Sequence, residues 1–97
     1  MDISDAVLAV IRQYRNQYDP ERWWMYGDFD YICAVNGACD ELIKLIKTNS
    51  RDPPLDVIES YHDLMLSYDA TNKSAVLIFR ASVDTAEQIV QILMKGE

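Results

Sequence analysis

The run AVLIFRASVDTAEQIVQILMK, residues 75–95, decides whether this chain is all-helical or mixed. Its first eight residues are rich enough in branched and aromatic side chains to form a strand, after which DTAE would serve as the capping box of a shorter helix. The spacing of the polar residues argues otherwise. Arg80, Asp84, Glu87, Gln88, Gln91 and Lys95 fall on one continuous stripe at helical spacing. Val76, Phe79, Val83, Ala86, Val90 and Leu93 form the opposing apolar stripe. A strand joined to a helix has no reason to keep one phase across the junction. The spacing therefore predicts a single helix of about 20 residues, roughly 30 Å long. The alternative is an α+β fold with 75–82 as a strand. Ile78, Ile89 and Ile92 lie beside the apolar stripe, so roughly half the circumference is apolar, against the ≳100° of an ordinary surface helix. Such a helix is either central in the fold or carries a partner interface.

Three earlier segments show the same periodicity. In ISDAVLAVIRQYRNQY (3–18), Ile3, Val7, Val10, Ile11, Tyr14 and Tyr18 make one stripe, with Arg12, Arg15 and Asn16 opposite. In FDYICAVNGACDELIKLIKT (29–48), Tyr31, Ile32, Val35, Ala38, Cys39, Leu42 and Ile46 form a core stripe. Gly27 supplies a turn before it, and Asp28 or Asp30 is the expected cap. In PLDVIESYHDLMLSY (54–68), Val57, Ile58, Tyr61, Leu64, Met65 and Tyr68 point inward, with Asp52 as N-cap and Pro53 at the tolerated first position. DATNKS then breaks the pattern, and Ser74 is placed to cap the last helix. Short connectors imply antiparallel neighbours, so the expected fold is all-α, a four-helix arrangement of two antiparallel helical hairpins. At 97 residues the chain (1–97) closes one hydrophobic core and so makes a single helical domain.

Composition narrows the function. Sixteen acids against nine basic residues give a net charge of −7, which argues against direct nucleic-acid binding, since phosphate recognition needs a clustered basic surface. A basic protein partner remains compatible with that charge. No apolar run is long enough for a bilayer span, and Asp2 and Asp5 stand where the positive region of a secretory signal should be. Cys33 and Cys39 are not spaced as a zinc framework. Six residues along one helix put them roughly 9 Å apart axially, too far for a disulfide. Two free thiols without a signal read as a cytoplasmic protein.

Chemistry-bearing constellations are thin. Glu59 and His62 have the i, i+3 spacing of di-iron carboxylate helices, but a second such pair and two further carboxylates are missing. An ordinary surface ion pair is the simpler reading. A Cys33–His62 pair lacks any local signature of nucleophilic catalysis, and three scattered glycines make no phosphate loop. No enzyme, no metal site and no cofactor are expected.

Surfaces are more informative. Gly37, in mid-helix, costs about 1 kcal/mol against alanine. With Cys33 four residues earlier it makes a small-residue ridge that another backbone can approach closely. Either that ridge meets a second copy of the chain, or the aromatic cluster Trp23, Trp24, Met25 and Tyr26 folds over it. Leu55, Glu59, His62 and Leu66 share a strip well off the core face of their helix, a modest second surface.

The order of these features resembles small all-helical proteins of unknown function from Gram-positive bacteria and their phages or mobile elements. The resemblance is carried by the amphipathic first helix, by DPERWWMYGDFDYICA (19–34), and by the NKS turn before VLIFRASVDTAEQIVQIL. It implies a helical fold and a prokaryotic or phage setting, and no catalytic residue. The function expected is a small helical protein–protein interaction module, self-associating as a homodimer. Its interface would use Trp23, Trp24, Tyr26, Cys33, Gly37, Ile78, Ile89 and Ile92, with Leu55 and Leu66 as a secondary patch. The alternative is an acidic inhibitor or nucleic-acid mimic that blocks a basic surface of a host or phage enzyme, using acids such as Asp28, Asp30 and Asp40.

Overall fold

In the computed structural model, which describes residues 3–18, 29–69 and 71–95, the run Lys73–Lys95 is one uninterrupted α-helix. The helical phase of its polar stripe prevails over the strand preference of its first third. Among the described residues this is α4, preceded by α1 (Ile3–Gln17), α2 (Phe29–Thr48) and α3 (Pro54–Leu66), and no strand occurs.

Side-chain ties establish the hairpins. The Asn36 amide donates to the Tyr18 carbonyl, and Arg15 pairs with Asp40 at 2.8 Å, so α1 and α2 run in opposite directions. Tyr68 stacks on Phe79 with ring centroids 4.5 Å apart, and His62 Nε2 lies 3.0 Å from Glu87 Oε1, which makes α3 and α4 antiparallel too. The two hairpins close on one core. Val7, Leu8, Ile11 and Tyr14 of α1 meet Val35, Cys39, Leu42 and Ile46 of α2, Val57, Ile58 and Tyr61 of α3, and Ala81, Ala86 and Ile89 of α4. α4 packs most extensively against α3 and α2, and it also touches α1. It touches all three other helices, which realises the central position, one of the two alternatives its broad apolar surface left open.

Three details differ from expectation. α3 starts at Pro54 with Pro53 as N-cap and no side-chain cap, while the Asp52 amide instead donates to the Asn49 carbonyl at 3.0 Å. Proline at the first position already lacks one of the N–H groups a cap would satisfy. The last helix is capped by Asn72, whose Oδ1 accepts from the Ala75 amide at 2.8 Å, and Ser74 lies one residue inside the helix. Asp30 falls in the first turn of α2, where a carboxylate favours the helix dipole, and Asp28 lies outside the described residues.

The larger correction concerns the buried face of α4. Ala81, Ser82, Thr85, Ala86 and Ile89 are buried, whereas Val76 is 47% exposed and Val83 and Val90 are only partly covered. At 100° per residue, the buried face is rotated about 100° from the stripe of largest apolar side chains. A helix wedged between three neighbours takes small residues at its closest approaches. The two hydroxyls there need no outside partner: Ser82 donates to the Ile78 carbonyl at 2.9 Å and Thr85 to the Ala81 carbonyl at 2.7 Å. Ile89, expected at an interface, is fully buried in the chain's own core. Leu64 on α3 and Tyr68 just after it are each 51% exposed and not inward as expected.

Candidate functional site

A groove of about 790 Å³ lies between α2, the end of α3 and the first half of α4. Its floor is made of small residues. Cys33, Ala34, Gly37 and Ala38 lie at helical spacing along one strip of α2, and Ser82 continues the floor on α4. Side chains no larger than these leave a trench where Leu or Phe would have filled the space between the helices. The walls are apolar: Leu64 and Met65 from α3, Leu77, Ile78 and Phe79 from α4. Along α2 the groove extends from Asp30 to Leu45, about 22 Å at the α-helical rise. A Cβ placed on Gly37 would meet no described atom within 4 Å, so no described side chain fills the middle of the floor.

The surrounding surface is also apolar. Leu64, Leu66, Tyr68, Val76 and Ile78, each 47–58% exposed, are five of the seven large apolar residues most exposed among the described ones. All five belong to the α3–α4 end of the molecule. Leu66, Tyr68 and Val76 line a shallower depression on the other side of α4, which Arg80 borders and which shares Met65 and Phe79 with the groove. Exposed apolar side chains scattered singly need no explanation, but a contiguous set does.

Charged groups in the described lining of the groove are few and of one sign. Asp30 and Glu41 are exposed carboxylates on its α2 rim, and no lysine, arginine or histidine belongs to its described lining. Tyr31, one turn from the floor, donates a 3.0 Å hydrogen bond to Asp84 and ties α2 to α4. Burial, reinforced by that acceptor, pushes its phenol up to about 12. Tyr61, at the base of the groove, is also shifted upward by burial. Both phenols remain neutral at physiological pH.

The expected interface residues divide accordingly. Cys33, Gly37 and Ile78 are brought together in the groove, and Leu66 stands beside it. Ile92 is 41% exposed on the C-terminal part of α4, and Leu55 is half-buried in the first turn of α3, both away from the groove. Ile89 is core. Trp23, Trp24, Met25 and Tyr26 lie outside the described residues. The Asp30–Glu41 rim was not singled out beforehand. Its signal was the eleven-residue separation, three helical turns, that puts both acids on the side of α2 where the small residues lie.

His62 does not pair with Glu59. It bridges to Glu87 of α4 and lies 3.6 Å from Asp63, so the strip from Leu55 to Leu66 is interrupted by an interhelix contact. Among the described residues, no group of three or more His, Cys, Asp or Glu side chains could hold a metal ion. The two thiols differ sharply. Cys39 is fully buried, and burial is the main reason its thiol is pushed up to about 12, while Cys33 is exposed in the groove. A thiolate is the reactive form, so Cys39 is an inert core residue. No helix among the described residues is long and apolar enough to cross a membrane.

Comparison of the chain with protein-family models, with curated proteins and with solved structures returns no match.

Proposed function

We propose that this domain is a helical recognition module that holds an apolar helical segment of a partner protein in the groove between α2, α3 and α4. The observation that carries this reading is the collection of exposed apolar side chains at one end of the fold, around a trench with a floor of small residues. Helix-in-groove recognition lays one apolar face into such a trench, with anchors at i, i+3, i+4 and i+7. A length of about 22 Å corresponds to roughly four turns of helix, enough for three or four anchors. Glycine at position 37 allows a bulky anchor to reach the α2 backbone.

Cys33 makes the reading testable, because it reports on the groove while Cys39 is buried. Synthetic amphipathic helices with a leucine row on an alanine–glutamine scaffold, with and without charged flanks, are titrated while alkylation of Cys33 is followed. Saturable protection of Cys33 is expected from at least one leucine peptide, and none from its serine counterpart. Gly37→Leu fills the trench and should abolish protection. If no leucine peptide protects Cys33, or Gly37→Leu is protected as well as the parent, the groove is not a docking site.

A further inference from the structure

We infer that the occupant of this groove is a basic amphipathic helix, with cationic residues about eleven positions apart flanking its apolar anchors. The inference rests on the docking role proposed for the groove and specifies the partner's chemistry. Asp30 and Glu41 are exposed on the rim, eleven residues apart on α2, hence about 16 Å along the helix axis. Neither makes an ion pair with another described residue. Arg15, by contrast, is engaged by Asp40 on the α1 side of the same helix. The groove therefore presents two carboxylates bracketing an apolar floor, with no described basic side chain in its lining to answer them.

A helix lying along α2 returns to nearly the same face every eleven residues. Lysine or arginine at i and i+11 would thus meet both acids, while apolar residues at i+4, i+7 and i+8 point into the trench. A second copy of this chain fits less well. In a two-fold interface the same patch faces itself, so four rim carboxylates would converge between two chains of net charge −7. Complementary charge also speeds encounter and fixes orientation, beyond its contribution to affinity.

The test uses three helical peptides of about sixteen residues with the same leucine row. One carries lysines at i and i+11, one carries glutamines there, and one carries glutamates. Binding is measured by anisotropy and by protection of Cys33, at low and high salt. The lysine peptide should bind about tenfold more tightly than the glutamine peptide at low ionic strength, with the difference shrinking as salt is added. The glutamate peptide should bind more weakly than both. Asp30→Lys with Glu41→Lys should reverse the order, and both positions are exposed, so these variants are expected to fold. Equal affinity for all three peptides, with protection retained, overturns the basic-partner inference and leaves the docking role standing. Failure of every peptide removes the docking role itself. A concentration-dependent dimer in light scattering that Gly37→Leu abolishes assigns the groove to a second copy and overturns the inference. Slow alkylation of Cys33 in the free protein, relieved in an unfolded control, shows the chain covering its own groove, with the same consequence.

Discussion

Gly37→Ala should make this protein more stable. The residue lies in the interior of α2, more than two turns from either end, and it is exposed. Glycine in a helix interior costs about 0.8–1.0 kcal/mol relative to alanine, because the unfolded chain gains freedom that the helix must remove. Two effects could offset that gain. A clash is absent, since the added Cβ meets no described atom within 4 Å. Strain is absent too, because the backbone there is ordinary α-helix. The full propensity difference of about 1 kcal/mol should therefore appear as stability, raising Tm by about 4–8 °C in a domain of this size. Far-UV circular dichroism during heating reads the shift, and urea unfolding should show a higher midpoint at unchanged slope. Equal or lower stability in Gly37→Ala would refute the reasoning. It would mean that some group packs against Gly37 in the free protein, so that the groove is already filled. The expected gain also matters for function, because no described residue gives a folding reason for a glycine here.

Three further predictions separate core from surface. Ile89→Ala should cost about 2–4 kcal/mol through lost burial and a residual cavity, while Ile78→Ala should stay within about 0.5 kcal/mol; similar costs in urea unfolding would contradict the observed phase of α4. Asn72→Ala should lose about 1 kcal/mol with the helix cap, and Ser74→Ala next to nothing; chemical denaturation of the two variants distinguishes them. Stability should decline in alkali, because Cys39 and Tyr31 ionise near 9.0 and 10.0 when unfolded but only at about 12 when folded. The folded state therefore holds its protons longer, so this contribution is intact below about pH 9 and is lost as pH rises toward 12. Urea midpoints across that range should fall, and Cys39→Ala should flatten the first part of the decline; a flat profile in the parent protein would count against burial of these groups.

How far the site was legible in the residues varies by element. The core stripe of α2 was read almost residue by residue, because its apolar positions keep strict helical spacing and its polar positions do not intrude. Cys33, Gly37 and Ile78 were each picked out as surface features. What joins them is the packing of α2 against α4, about forty residues apart in the chain, and no local pattern encodes that. Ile89 was assigned to an interface because a wheel weights side chains by hydrophobicity. Packing in the middle of α4 instead selects by size, and Ser82 and Thr85 enter the core at little cost by bonding to their own helix.

Periodicity alone thus determined that the chain is helical and where most breaks fall, because the 3.6-residue repeat is a local property that neighbouring residues enforce together. Tertiary structure decided which face of α4 is buried and where the fold stays open. Those outcomes depend on how closely each pair of helices can approach, and that is set by small residues facing one another across the bundle. The groove is the result: α2 presents small side chains toward an end of α3 and α4 whose bulky ones turn outward, leaving an apolar trench with two carboxylates on its rim.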